Sequence, residues 1–213
     1  LSSAASDVYK RQLRIGCVES SAVRFLADKF QAFRAAYPQV QFELYSADGD
    51  DIRSELDHDR IDMGILLEPV EAAKYDAIDL PVADRWGIVV RDDSPVASHP
   101  FANGQTISSL RMILPRRAIV RTEIKTWFSE LVKDETVVMY HNLPSLSLHF
   151  IRSGIGDALL CVEGSYGIRP TPGLRFVPLA PERLARHKFV RRKNHRLSKA
   201  GEIFWSQLQN HDL

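Results

Sequence analysis

Two groups of residues could bind a small molecule because of where they lie in the chain. Glu19, Ser20 and Ser21 follow the first apolar run, and Leu67 and Glu68 lie at the end of the third. In open α/β sheets, ligands bind outside the carboxyl ends of the parallel strands. If both runs are parallel strands, these five residues lie on the rim of a binding cleft.

A strand–helix–strand–helix–strand unit would position these residues. The sequence predicts strands at 13–18, 40–45 and 61–67, separated by helices at 23–37 and 50–57. Apolar side chains recur every three or four residues in the first helix and at every second residue in the second strand, as these structures require. Strands that alternate with helices predict a parallel sheet with right-handed crossovers.

A second α/β module follows, and the end of the chain returns to the first module. Strands at 78–82 and 86–91 lead from one to the other. We assign residues 13–84 to the first part of lobe I, residues 85–180 to lobe II, and residues 181–213 to lobe I again. The chain would thus cross between the lobes twice, near residues 82–86 and 179–188, and these crossovers would make the lobes a hinged pair.

Local signals mark the ends of several elements in this second part. Gly154 ends a predicted helix at 145–153, because glycine adopts the backbone conformation that terminates helices. Ser198 is a suitable N-cap for the last helix. Residues 116–122 are predicted to be a loop, and residues 123–132 a helix with one apolar face.

The composition excludes several classes of protein. The 213 residues carry a net charge of only +1, whereas a DNA-binding domain usually has a basic face. No apolar run approaches the roughly 20 residues that span a bilayer. Cys17 and Cys161 lie in separate apolar runs, so we expect two buried thiols in a reducing cytoplasm. Residues 1–12 do not fit the α/β pattern, and we expect a non-native or disordered tail there.

The chain lacks the common sequence motifs of enzymes. It contains no G-x-S-x-G motif, no P-loop and no H-E-x-x-H motif. Its seven histidines are scattered, and none pairs with a cysteine at metal-ligand spacing, so we expect neither a metal nor a cofactor. His141 lies near a predicted cleft loop, where we expect a structural imidazole.

Several short segments of the chain match the pattern of one known family. The segments are 13–16, 33–40, 60–65, 113–117, 152–160, and 192–194 followed by 197–198. In their order, and together over nearly all of residues 13–213, they resemble the effector-binding domain of LysR-type transcriptional regulators.

This resemblance implies a type 2 periplasmic-binding-protein-like α/β fold. In it, two lobes, each a mixed and mostly parallel sheet flanked by helices, enclose a cleft for a small-molecule effector. In the family, an N-terminal winged helix-turn-helix and a linker helix precede this domain. Neither lies in this chain, so we do not expect the chain to bind DNA by itself.

The resemblance also implies an antiparallel homodimer, and a tetramer for the full-length form. Helix 23–37 of one subunit would lie beside helix 145–153 of another. The same apolar faces could instead belong to the core of each subunit. The residues concerned are Phe30, Phe33, Leu148 and Ile151.

The family's first two cleft loops correspond to the residues at the strand ends. Ser20 or Ser21 would contact the ligand at a helix N-terminus, whose free N–H groups and partial positive charge suit a carboxylate; an ordinary N-cap is the alternative. Leu67 and Glu68 match the loop after the third strand. The family often has a small or polar residue there, so Glu68 is a departure that could repel an anion or pair with an amine.

Two further cleft loops come from the second lobe. Ala118, Ile119 and Arg121 match one of them, and an arginine there could hold a carboxylate with two hydrogen bonds. Asn142 matches the other, as a polar contact. The alternatives are a solvated surface arginine and a turn-forming asparagine.

Three functions remain open for such a fold. The first is a ligand-sensing regulatory domain for a small polar or carboxylate effector. The second is a solute-binding receptor of a transporter, which would need a signal peptide or a lipidated cysteine. The third is an enzyme on the same scaffold, for which Glu19, Glu68 and His141 are the candidate catalytic groups.

Overall fold

The computed structural model describes residues 12–128 and 133–210. Of the tail predicted at 1–12, residues 1–11 lie outside the described residues. The prediction is wrong for Gln12, which is the first residue of the first strand. The chain divides into two compact units. Of the described residues, unit 1 contains 12–18, 22–82 and 186–210, and unit 2 contains 19–21, 83–128 and 133–185. The lobe boundaries that the sequence suggests stay a prediction.

The described residues contain nine strands and seven α-helices. The strands are β1 (Gln12–Cys17), β2 (Gln41–Ser46), β3 (Met63–Leu67), β4 (Tyr75–Arg91), β5 (Met112–Pro115), β6 (Val137–His141), β7 (Ala158–Val162), β8 (Leu174–Pro178) and β9 (Leu184–Arg192). The α-helices are α1 (Ala22–Ala36), α2 (Gly49–Asp57), α3 (Gly104–Ser108), α4 (Ala118–Phe128), α5 (Pro144–Arg152), α6 (Glu163–Gly167) and α7 (Lys199–Gln209).

Unit 1 has a mixed sheet with an aromatic core. β1 pairs in parallel with β2 and with β3, and β3 pairs antiparallel with β9. Phe33 of α1 and Phe204 of α7 are fully buried, and their ring centroids are 5.0 Å apart in an edge-to-face arrangement. Burial of each ring stabilises the unit by about 1.5–3 kcal/mol relative to an exposed ring.

Unit 2 has its own mixed sheet and its own core. β5 pairs in parallel with β6 and β7, whereas β4 pairs antiparallel with β7 and β8. Val89, Ile113 and Leu159 are fully buried in the core of this sheet, together with Ile151 from α5. Gly154 follows α5 with a φ of +78°, which confirms the predicted helix end.

The structure corrects the predictions for two segments. The strands expected at 78–82 and 86–91 are one continuous strand, β4. The loop expected at 116–122 is shorter, because α4 already begins at Ala118. Val120 and Ile124 lie one turn apart and are both buried, so packing of this face outweighs the low helix propensity of the β-branched residues. Residues 129–132, the end of the predicted helix, lie outside the described residues.

Both cysteines are free and buried, as the sequence indicates. Burial raises the pKa of the Cys17 thiol to about 12. Among the described residues, no helix combines the length and apolar character needed to cross a lipid bilayer.

Candidate functional site

The loop from Glu19 to Ser21 connects β1 to α1, but its contacts place it in unit 2. The backbone N–H of Ser21 donates a hydrogen bond to Asp84 Oδ2 at 3.0 Å. Ser20 is completely buried. The side chain of Ser20 is therefore withdrawn from solvent, whereas Ser21 is only half-buried.

The carboxylate of Glu19 lies at the N-terminus of α5. The N–H of Ser145 donates to Glu19 Oε2 at 3.0 Å, and its hydroxyl donates to Oε1 at 2.7 Å. The N-cap residue of α5, Leu143, has no side chain that could accept a bond from these N–H groups. Glu19 takes that role, since a carboxylate satisfies free N–H groups and matches the positive end of the helix dipole.

Gly164 fits closely against the same loop. A Cβ atom added to Gly164 would lie 2.1 Å from the Ser21 nitrogen and 2.6 Å from each carboxylate oxygen of Asp84. Real side chains do not approach backbone atoms so closely, so this position requires glycine. The loop, Asp84 and the start of α6 thus form one tightly packed group within unit 2.

Charged and thiol groups surround this packed group. Arg85 donates two hydrogen bonds of 2.8 Å to Glu163, and this pairing lowers the pKa of the Glu163 carboxyl. Burial raises the pKa of Cys161 to about 12, and the nearby carboxylates of Glu19 and Asp84 act in the same direction. Cys161 is therefore a neutral thiol at physiological pH and a poor nucleophile.

The residues predicted from the second lobe lie on and beside α4. Ala118 and Arg121 line a groove of about 290 Å³ in unit 2, and both are exposed. The guanidinium carbon of Arg121 lies 5.3 Å from the centroid of the Tyr140 ring. Ile119 belongs to the first turn of α4, and its side chain lies outside the described part of the structure. Contrary to the sequence prediction, these are helical residues and not loop residues.

Asn142 follows β6 and is exposed. Its Oδ1 accepts a hydrogen bond from the N–H of Leu143 at 3.0 Å, which is the local pattern of a turn-forming asparagine. His141, directly before it, is buried, and its Nε2 lies 3.4 Å from the carbonyl oxygen of Leu160. This histidine therefore belongs to the packed interior of unit 2.

Leu67 and Glu68 belong to unit 1, at the carboxyl end of β3. Glu68 is exposed and forms an ion pair with Lys188, whose Nζ lies 3.1 Å from Glu68 Oε1. Lys188 also contacts Asp79, and the hydrogen bonds to Asp79 and then Glu68 raise the pKa of Lys188. Glu68, the acidic residue that departs from the family's pattern, is thus paired with Lys188 on the neighbouring strand, β9.

Within unit 2, the structure brings together some of the residues that were predicted to line a ligand cleft. Glu19 reaches the start of α5, three residues after Asn142, and Ala118 and Arg121 share one groove. Sequence patterns do not identify the partners of these residues, which are Asp84, Tyr140, Ser145 and Gly164. Each partner lies far in sequence from the residue that it contacts, although the place of Ser145 just after Pro144 at a helix start is a usable signal.

Within residues 12–128 and 133–210, no group of three or more His, Cys, Asp or Glu side chains could hold a metal ion.

Comparisons with known proteins identify the family. The model of the LysR substrate binding domain matches residues 6–213. The uncharacterized HTH-type transcriptional regulator YvbU of Bacillus subtilis (strain 168) is 26% identical over 160 residues, which are 75% of this chain and 53% of that protein. The chain thus spans about half the length of this curated relative.

Solved structures confirm the predicted fold class. The effector binding domain of QuiR in complex with shikimate has a TM-score of 0.78 at 14% identity, over 94% of this chain and 96% of that chain. The CcmR regulatory domain of Synechocystis PCC6803 in complex with 2-PG has a TM-score of 0.72 at 16% identity, with the same two coverages. The BenM effector binding domain with its effector benzoate has a TM-score of 0.68 at 18% identity, over 94% and 91%.

At these low sequence identities, the ligands of the three proteins are not assigned to this chain. The three structures do share with it the two-lobed periplasmic-binding-protein-like fold of LysR effector-binding domains. Together with the family match over nearly the whole chain, they lead to one conclusion. The chain belongs to the LysR family of transcriptional regulators, as an effector-binding regulatory domain.

Proposed function

We propose that the chain senses a small polar or carboxylate effector and changes the DNA binding of a helix-turn-helix domain in the full-length protein. The observation that carries this proposal is the family match over residues 6–213. The titles of related structures name shikimate, 2-PG and benzoate as ligands of those proteins, which supports a small-molecule effector here. DNA as the final target makes the cytoplasm the expected compartment.

The proposed effector contacts are the residues that correspond to the family's cleft loops. Ser21 and Asn142 are the strongest of them, because each presents an exposed or half-buried polar side chain beside the start of a helix. Ser20 would contact a ligand only if the loop moved, since it is buried. The full set is Ser20, Ser21, Leu67, Glu68, Ala118, Ile119, Arg121 and Asn142.

Effector binding can act on DNA binding only through a difference in affinity between two arrangements of the protein. We propose that these are arrangements of a homodimer, which becomes a tetramer in the full-length form. Phe33, Leu148 and Ile151, once candidates for the dimer surface, are buried within their units. The exposed side chains of α5 and β6 supply a better apolar surface. They are Val138, Tyr140, Leu146 and Phe150.

A thermal-shift screen of the chain against small carboxylic acids, amino acids, amines and sugars tests the sensing function. A ligand that binds only the folded state raises the melting temperature, by an amount that grows with ligand concentration. We expect Ser21→Ala and Asn142→Ala to reduce this rise. Gln105→Ala, an exposed polar change on α3 away from the proposed contacts, should leave it intact.

Two results would contradict the proposal. One is a melting temperature that none of these ligand classes changes. The other is a hit whose effect is equally strong in both contact variants and in the control, because the ligand would then bind elsewhere.

A further inference from the structure

The loop from Glu19 to Ser21 continues directly into one helix, α1, and contacts the start of another, α5. Ser21 is the residue before α1, and Ser145 belongs to the first turn of α5. The first N–H groups of a helix have no partner within the helix, and they carry the positive end of its dipole. Such a helix start attracts a negatively charged group, including the carboxylate of a small molecule.

Carboxylates of the protein itself occupy both of these places. The N–H of Ser21 donates to Asp84 Oδ2 at 3.0 Å, and the N–H of Ser145 donates to Glu19 Oε2 at 3.0 Å. The hydroxyl of Ser145 donates to the other oxygen of Glu19 at 2.7 Å. Each carboxylate therefore takes the hydrogen bonds that a small anion would need at this loop.

Asp84 is held firmly in its place. It is only 5% exposed, and a Cβ added to Gly164 would lie 2.6 Å from each of its carboxylate oxygens. Glu19 is held by two hydrogen bonds from one residue, Ser145, which fix both of its oxygens. A ligand could displace either carboxylate only by breaking these contacts.

The two negative charges act on the same part of unit 2. Burial is the main cause of the raised pKa of the Cys161 thiol, and the charges of Glu19 and Asp84 both add to it. Arg85, the residue after Asp84, donates its two side-chain hydrogen bonds to Glu163. A further negative group at the loop would be repelled by both carboxylates, because like charges at short distance interact strongly near a protein surface.

We propose that Glu19 and Asp84 determine the specificity of this end of the effector site by excluding negatively charged groups. The proposal rests on the effector contacts proposed for Ser21 and Asn142, and it names the chemistry that they accept. The effector would present an uncharged hydroxyl or amide, or an amine, to this loop. Any carboxylate that the effector carries would bind away from the loop.

A chemical-rescue experiment tests the exclusion without knowledge of the effector. Acetate is the probe, and acetamide is its uncharged analogue of similar shape. In Glu19→Ala, millimolar acetate should take the vacated place at α5, shift the ¹⁵N-edited amide signal of Ser145 and raise the melting temperature. The unaltered chain should bind acetate there at least about tenfold more weakly, because Glu19 fills the place and repels the anion. Acetamide should have no effect on either protein.

Asp84→Ala should open the place beside the Ser21 N–H to acetate in the same way. If this buried change prevents folding, the exposed Glu19→Ala variant alone decides the outcome. Glu135→Ala is the matched control, since Glu135 is an exposed glutamate of unit 2 without a contact to either helix start. Acetate should affect this control no more than the unaltered chain.

The proposal is overturned if acetate shifts the Ser21 or Ser145 signal of the unaltered chain as strongly as that of the variants. It is also overturned if acetate binds at neither place in Glu19→Ala, because the helix start would then not be a place for an anion.

The thermal-shift screen separates this proposal from effector sensing. Ligands whose effect depends on Ser21 and Asn142 should be uncharged or carry an amine. A carboxylic acid that depends on both residues, and binds better than its own amide, would overturn the exclusion while supporting effector sensing. A screen without any ligand would contradict effector sensing, whereas the acetate experiment would still decide whether the two helix starts exclude anions.

Discussion

Glu19 and Ser145 are 126 residues apart in sequence, yet the carboxylate of Glu19 accepts both the backbone N–H and the hydroxyl of Ser145. The chain thus supplies from a distant loop the acceptor that Leu143, the N-cap residue of α5, lacks. The same contact fixes the loop that carries Ser20 and Ser21. One carboxylate therefore couples a helix start to a proposed ligand loop.

Removal of this carboxylate should destabilise the protein. For Glu19→Ala we expect the free energy of unfolding to fall by about 1 kcal/mol, the typical cost of losing a helix cap. Urea denaturation measures the change, with Glu182→Ala, an exposed glutamate of unit 2, as control. In the double variant with Ser145→Ala, the losses should not add, because both changes remove one interaction. Strictly additive losses would show that the two residues act independently.

Gly164→Ala should destabilise the protein more than the small size of the added methyl group suggests. The new methyl group would lie 2.1 Å from the Ser21 nitrogen, and backbone atoms cannot move aside as a flexible side chain can. Overpacking of this kind costs about 1–3 kcal/mol of unfolding free energy.

Gly167→Ala is a matched control in the same short helix, because a Cβ there meets nothing within 4 Å. We expect it to be neutral or slightly stabilising, since alanine restricts the unfolded chain more than glycine does. Equal melting temperatures for the two variants would contradict the close packing of Gly164 against the loop.

Self-association should depend on the exposed apolar residues of α5. Leu146 is 70% exposed and lies on the proposed dimer surface, so Leu146→Arg would place a charge in the interface and favour the monomer. Sedimentation velocity across a range of concentrations measures this shift. Leu184→Arg, at a residue that is 47% exposed on β9, is the control. A dimer that persists in the Leu146 variant, or a chain that is monomeric throughout, would contradict this assignment.

The sequence predicted those features that depend on neighbouring residues. Ser198 was identified as an N-cap, and its Oγ accepts a bond from the N–H of Gly201 at 3.1 Å. Gly154 was identified as a helix end for a similarly local reason. The start of α4 at Ala118 was missed, because burial of Val120 depends on contacts that no local pattern reveals. These two helix ends are set by neighbouring residues, whereas packing is not.

The candidate site was less predictable for the same reason. Ser21 follows β1 and Asn142 follows β6, and the carboxyl ends of strands can be located from the hydrophobic pattern. The contacts that fix these loops join residues far apart in the chain. Nothing in the sequence around Arg121 indicates that Tyr140 lies beneath its guanidinium group.

Stability should depend on pH through Asp157. Its carboxylate accepts hydrogen bonds from the backbone N–H and the guanidinium of Arg111, and these lower the pKa of Asp157 in the folded state. A carboxyl with a lowered folded-state pKa stabilises the protein at any pH above its unfolded-state pKa. That contribution is lost as the pH falls from about 4, the ordinary value for aspartate, through the lower pKa of the folded state.

Asp157→Asn should therefore lower the free energy of unfolding near pH 7, by at most about 1 kcal/mol because the pair is partly exposed to solvent. The difference from the unaltered chain should shrink as the pH falls below about 4, because the unaltered chain then loses the same charge. Asp93→Asn is the control, since the Asp93 side chain is 77% exposed in its pair with Arg91. Urea denaturation at several pH values between 3 and 7 measures both, and a constant difference across this range would show that the charge of Asp157 is not the source of the effect.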